Sequence, residues 1–193
     1  AEMGFDQFHK RDVPVDNRHV GPTARESEPK IVQAFLKHST LSGEALERKL
    51  YVLKKYAFHQ LRQDHPDFYI ASLSTTQIIY KGQLRTDQLR AYFLDLQNPA
   101  VDSAFAIIHS RFSTNTFPKW SLAQPFRYIA HNGEINTIRG NVNKMKSKEA
   151  LLESTLFTKD EISKLLPICD STWSDSANLD ELIELLVMGG RSL

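Results

Sequence analysis

The chain has 193 residues, enough for one large domain or two small ones, and 41% of them are hydrophobic, so a packed core is within reach and general disorder is excluded. Formal net charge is +1 and the basic residues are scattered, which argues against a nucleic-acid partner. No apolar run approaches the roughly 18 residues of a membrane span, and Ala1 to Lys10 lacks the apolar stretch of a signal peptide.

In chain order, the first thirty residues are polar and carry Pro14, Pro22 and Pro29, so 1–29 is expected to be an extended arm lying on something larger. Lys30 to Lys37 is a short apolar run, read as a strand. From Gly43 to Gln63 the residues Leu46, Leu50, Leu53, Ala57 and Leu61 recur at helical spacing with charges on the other face, and Pro66 marks the end. Phe68–Ser74 and Gln77–Lys81 read as two strands joined by a tight turn, from their aromatic and β-branched content. Thr86 to Leu94 reads as a short helix capped by Thr86.

Ser103 to Arg111 (SAFAIIHSR) is an apolar run ending in polar residues, expected as a buried strand that delivers Arg111 to an edge or mouth. Phe126 to Asn132 is a second such strand, closed by the turn signal Asn132-Gly133. Ile135 to Leu156 is helical in pattern but interrupted by Gly140. Asn178 to Met188 is the strongest helix. Leu179, Leu182, Ile183 and Leu186 line one face, Asn178 and Glu181 resemble a capping box, and Gly189-Gly190 ends it. Strands and helices mix without strict alternation and without internal repeats, which makes the fold class α+β.

Three polar segments carry candidate chemistry. Arg111 opens SRFSTNTFP, and its planar fork pairs bidentately with a carboxylate. Read alone, an internal salt bridge anchoring the loop is the commoner use for it, and a substrate carboxylate the other. In AHNGEIN the Gly133 amide is unencumbered and Asn132 brings a neutral NH₂ donor, so the pair can stabilise an oxyanion or simply form a turn before a helix. In WSDSA the Asp175 carboxylate can hold an ammonium group or cap the helix that follows. A single cysteine, Cys169, leaves no internal disulfide and no thiolate metal cluster, and no metal site is expected.

Taken together, HSRFSTNTFPKWSLAQPFRYIAHNGEINT, continuous from His109 to Thr137, resembles the class II glutamine amidotransferase domain of glutamate synthase large chains. TWSDSANLDELIELL resembles the next block of that family, and RDVPVDN near Arg11, FYIASLS near Phe68 and IIYKG near Ile79 fit its pattern. The resemblance covers nearly the whole chain. Other class II amidotransferases share an Arg, the Asn-Gly pair and an Asp, without the FSTNTFP and LAQPFR surroundings.

The resemblance implies an αββα sandwich of the N-terminal nucleophile hydrolase type. The implied activity is hydrolysis of L-glutamine to glutamate and ammonia by a chain-terminal cysteine whose own α-amino group is the general base. Residue by residue, Arg111 would bind the glutamine α-carboxylate, Asp175 its α-ammonium with Glu134 assisting, and Asn132 and Gly133 would form the oxyanion hole. In the implied parent, ammonia passes through a tunnel to a synthase domain that aminates 2-oxoglutarate with FMN and an iron–sulfur cluster. Neither cofactor is expected in this chain, since one cysteine cannot hold a cluster and no Gly-rich phosphate loop is present. The implied partners are L-glutamine and the remainder of the synthase chain, with no nucleic acid or membrane. The implied location is cytoplasmic, or a plastid in a plant.

The family's mature chain begins with cysteine, whereas this sequence begins Ala1-Glu2-Met3. The chain, 1–193, is therefore expected to be an internal part of one amidotransferase domain, an arm over 1–29 and an α+β core over 30–193. The nucleophile and first strands would lie outside it, and MGGRSL would stop where the family continues. On that reading the isolated chain is inactive, and unpaired strand edges favour association. Cys169 has no terminal amine beside it and is expected to be structural, as are His109 and His131, each as a hydrogen-bonding residue. The alternative is a non-catalytic amidotransferase-like module that binds glutamine or a partner protein. A hydrolase built on Cys169 would lose its activity on Cys169→Ala.

Overall fold

A computed structural model describes residues 3–113, 116–131, 133 and 135–192. The chain mixes helix and strand, as the α+β reading requires. Among the described residues the sheet has two strands, β1 (Phe5–Asp12) and β2 (Val32–His38), paired antiparallel from Phe5↔His38 to Asp12↔Val32 with an irregularity between Gln7 and His9. The apolar run at 30–37 thus forms a strand as expected. Of the polar residues before it, Phe5–Asp12 run extended as its partner, whereas Pro22–Glu26 is helical and Val20 is buried in an apolar cluster, so an extended arm does not describe the whole of 1–29. Most of β1 is exposed, so no alternation of apolar and polar residues announced it.

The six helices are α1 (Pro22–Glu26), α2 (Gly43–Asp64), α3 (Thr86–Tyr92), α4 (Ile138–Glu149), α5 (Lys159–Leu165) and α6 (Asp175–Met188), counted among the described residues. The α2 helix covers the predicted span and stops ahead of Pro66, but its buried residues are Leu50, Tyr51, Val52, Lys54 and Lys55, and Leu61 is exposed, because acids elsewhere in the chain draw the lysines inward. At α3 the cap is Arg85 rather than Thr86, and the Gln88 side chain accepts from the Arg85 amide at 2.9 Å. The α4 helix begins three residues later than its pattern suggests, because Thr137 takes a left-handed φ of 62° that a β-branched residue rarely adopts. Gly140 lies inside it. The sequence pattern did not show α5, a short helix held by a capping box. Thr158 Oγ1 accepts from the Glu161 amide at 3.2 Å, and the Glu161 carboxylate accepts from the Thr158 amide at 2.9 Å.

The predicted strands at 68–74, 77–81, 103–111 and 126–132 are not strands among their described residues. The physical reason differs from place to place. Glu47 from α2 captures Ser74 and Thr75 by their side chains and the Thr75 amide. The amides of 127–129 bond to a carboxylate instead of a neighbouring strand. The 103–111 run makes local hydrogen bonds among the described residues and stays exposed.

Two apolar clusters hold the chain. The larger joins Tyr51 and Val52 of α2, Val142 of α4, Phe157, Leu165 of α5, Ile168 and Cys169, with Leu185 and Met188 of α6 packed against it. The smaller gathers Val20, Tyr92, Phe93 and Trp120, with Val13 and Val15 from the segment after β1. Gly82 is required there, since a Cβ at that position would lie 2.3 Å from the Trp120 ring.

Candidate functional site

The start of α6 is the point on which the polar motifs converge. Ser174 caps it, its hydroxyl accepting from the Ala177 amide at 3.2 Å. The predicted cap at Asn178 is therefore displaced by four residues. Asn178 instead lies inside the helix, its amide oxygen accepting from Asp170 N at 2.9 Å and its NH₂ donating to the Asp170 carbonyl at 2.9 Å. With Ser174 as cap, Asp175 and Ser176 fall in the first turn, where backbone N–H groups favour negative charge.

From that turn, α6 grips the described residues on both sides of position 132. Asp175 Oδ2 accepts from the Ile135 amide at 3.0 Å. Ser176 Oγ donates to the His131 carbonyl at 2.6 Å and accepts from Ser113 Oγ at 3.0 Å. One turn further on, Asp180 accepts from the amides of Arg127, Tyr128 and Ile129 at 3.2, 2.7 and 3.1 Å. Gln124 closes the loop from within, its NH₂ donating to the His131 carbonyl at 2.7 Å and its oxygen accepting from the His131 amide at 3.4 Å.

Beneath this grip runs a buried ionic layer. Lys55 bonds Glu181 at 3.0 Å, Lys54 pairs with Glu184, and Arg127 reaches Glu184 at 2.8 Å as well as Glu181. Burial alone would raise the pKa of Glu181, but the charges of Lys55, Arg127 and Lys54 carry it well below the ordinary carboxylate value. Arg127 behaves likewise: burial works against its charge, and Glu181, Glu184 and Asp180 more than restore it. Burial brings Lys54 down to about 8 despite Glu184. Buried pairs of this kind add little net stability over an apolar replacement, yet removing one partner is costly.

Of the expected site residues, Arg111, Gly133 and Asp175 are described. Asp175 is half-buried at the head of α6. Gly133 is half-buried, and its amide donates to His131 Nδ1 at 3.2 Å, so that imidazole is its present acceptor. A Cβ on Gly133 would lie 2.5 Å from the same ring. Arg111 is exposed, two residues before the Ser113 that reaches Ser176, and its amide donates to His109 Nδ1 at 3.1 Å. Both His109 and His131 thus accept a backbone amide two residues on. Asn132 and Glu134 lie outside the described residues. Ser113, His131 and Ile135 are tied to the head of α6, whereas neither of the two cavities described is lined by Arg111, Gly133 or Asp175.

Cys169 is buried in the larger apolar cluster, and burial pushes its thiol up. Among the described residues no group of three or more His, Cys, Asp or Glu could hold a metal ion, and a lone buried thiol does not fit an iron–sulfur cluster. Sequence reasoning missed Gln124, Ser176, Asp180 and the Lys54–Lys55 pair. The available signal was the match between two adjacent lysines on α2 and three acids within five residues of α6.

The whole chain, residues 1–193, matches the family model described as class II glutamine amidotransferases. The chain belongs to that family. It is 48% identical over 183 residues to the large chain of NADPH glutamate synthase from Bacillus subtilis, covering 94% of this chain and 12% of that one. It is 49% identical over 196 residues to NADH glutamate synthase from Schizosaccharomyces pombe, covering 98% of this chain and 9% of the relative. Against the chloroplastic/mitochondrial ferredoxin-dependent glutamate synthase 1 of Arabidopsis thaliana, identity is 44%, over 94% of this chain and 11% of the relative. The chain thus spans about a tenth of the length of these glutamate synthases. Among the described residues no helix is long and apolar enough to cross a membrane.

Proposed function

We propose that this chain supplies the substrate-binding and oxyanion-stabilising part of a glutaminase site within a glutamate synthase. A zwitterionic amino acid needs a cation for its carboxylate and an anion for its ammonium, and Arg111 and Asp175, assisted by Glu134, fill those roles. As a nucleophile attacks the side-chain amide of glutamine, negative charge develops on the carbonyl oxygen. Asn132 and Gly133 receive that charge, the Gly133 amide exchanging its His131 acceptor for the oxyanion. Water then completes the hydrolysis, so that glutamine and water give glutamate and ammonia.

The observation that carries this reading is the hydrogen-bonded chain from Ser113 through Ser176 to the His131 carbonyl, flanked by the Asp175–Ile135 bond. It ties Ser113, His131 and Ile135 to the head of one helix, which supports a shared location for the three motifs. The nucleophilic cysteine belongs to sequence outside this chain, as do the FMN and iron–sulfur sites and the synthase domain that receives ammonia. With it come the strands that complete an αββα sandwich. A cytoplasmic or plastid location goes with this reading.

The test uses the longer synthase that contains this sequence and measures glutamine-dependent ammonia release. Asn132→Ala should lower kcat by about 100- to 1,000-fold, the usual effect of losing one oxyanion donor. Arg111→Ala and Asp175→Asn should act mainly by raising the KM for glutamine. Wild-type kinetics in Asn132→Ala would refute the assignment, and so would glutamine hydrolysis by this chain alone.

A further inference from the structure

A cavity of about 320 Å³ opens beside α2, between the residues around Tyr69, the turn at Phe126 and the approach to α6. That volume is within the range that takes small molecules. Phe58, Phe68, Tyr69, Phe126 and Trp173 line it with aromatic surface. The buried charges beside it do not balance. The buried layer holds four cations, Lys54, Lys55, Lys81 and Arg127, against three carboxylates, Asp180, Glu181 and Glu184. Three of these cations are ion-paired, while Lys81 takes part in none of the ion pairs among the described residues.

Lys81 is 7% exposed and lines the cavity. Its ammonium donates to the Ser121 carbonyl at 2.7 Å and lies 4.7 Å from the centre of the Phe126 ring. An ammonium has three protons to donate, and a backbone carbonyl and a ring face are weak compensation for a buried charge. Burial first, then the nearby Arg127 charge, brings its pKa down to about 7.

We propose that this cavity binds a small planar monocarboxylate, its anionic head on Lys81 and its body against the aromatic walls. One negative charge matches Lys81, the cation of the buried layer that has no ion pair among the described residues, and a flat body matches the aromatic walls. The site is separate from Arg111, Gly133 and Asp175, and its occupancy does not depend on glutamine hydrolysis.

The test titrates the purified protein with benzoate, its neutral analogue benzamide and inorganic phosphate, followed by NMR at the Trp173 indole N–H. Benzoate should bind saturably, benzamide much more weakly, and phosphate more weakly than benzoate. Lys81→Met should weaken benzoate binding by about 10- to 100-fold, the range expected for a charge-assisted hydrogen bond, and Lys81→Arg should retain more of it. If Lys81→Met fails to fold, the benzoate–benzamide comparison on the wild type decides alone. Equal binding of benzoate and benzamide, tighter binding of phosphate, no saturable response to benzoate, or an unaffected Lys81→Met protein would each overturn the proposal.

Discussion

Phe126–Ala130 and Ser103–Ile108 read alike in the sequence, as apolar runs that lead into polar motif residues, yet the molecule treats them differently. The first run surrenders its amides to Asp180, and the His131 that follows is bracketed by Gln124 and Ser176. In the second, Phe105, Ile107 and Ile108 are 77%, 55% and 73% exposed, and the hydrogen bonds among the described residues are local. An apolar run makes the chain want to extend and to hide, but its backbone partners must come from elsewhere. Helix α6 brings a carboxylate to one run. To the other it offers the single described bond between Ser113 and Ser176.

The largest expected effect breaks the well-held side. Asp180 is fully buried, accepts three backbone amides and lies 3.3 Å from Arg127 Nη2. Asp180→Ala leaves those amides and part of the Arg127 charge uncompensated. Removing one partner from such a buried arrangement costs about 3–5 kcal/mol, to be read from urea unfolding. A loss below about 1 kcal/mol would mean that the grip of α6 on 127–129 contributes little.

A smaller effect sharpens the role of the excess cation in that same layer. Unfolded, Lys81 keeps its proton up to about its ordinary pKa of 10.5; folded, it releases it near 7. Between those values the unfolded state binds more protons, so stability rises with pH, by at most about 1.4 kcal/mol per pH unit for one group. Tyr69, raised by burial to about 12, acts in the opposite sense once the unfolded tyrosine begins to ionise near 10. Unfolding measured from pH 7 to 9.5 should therefore show a rise that Lys81→Met reduces, most clearly below pH 8, while Lys54, brought down to about 8, keeps part of the rise above it. A flat profile in the wild type would mean that Lys81 keeps its charge in the fold.

The contrast between the two runs also marks what could be read from the sequence. Helix α2 was legible because its leucine spacing and the proline after it are local signals. Helix α6 was legible as a helix but not in its orientation. Its acidic face, Asp180, Glu181 and Glu184, is the buried one, while Leu186 is 46% exposed. Periodicity cannot tell an acidic face turned to water from one turned to Lys54, Lys55 and Arg127, because the partners are supplied by distant parts of the chain. The short α5 was hidden for another reason: seven residues hold too few apolar positions to establish a period. At the site, Arg111, the Asn-Gly pair and Asp175 stood out through family resemblance. Ser176 and Gln124 did not, since their work is done on backbone atoms that no motif names.

The bond that links the two runs can be cut by itself. Ser176→Ala removes the hydroxyl that donates to the His131 carbonyl and accepts from Ser113. Gln124 still donates to that carbonyl, so the loss should stay near 1 kcal/mol, the usual net worth of a hydrogen bond. Amide exchange should quicken around residues 111–113 more than around 127–129, where Asp180 keeps its hold. Equal quickening in both places would show that the segments open together.

The smallest effect is expected where the chain is barest. Ile108 is 73% exposed and belongs to neither apolar cluster. Ile108→Asp should therefore change the unfolding free energy of this chain by no more than about 0.5 kcal/mol, as surface substitutions do. The same change places a charge on an exposed apolar stretch, so it should lower concentration-dependent self-association measured by sedimentation. A loss of more than about 2 kcal/mol, on the scale of a core truncation, would show that the 103–108 run is packed in solution. The two runs would then differ in what covers them rather than in whether they are covered.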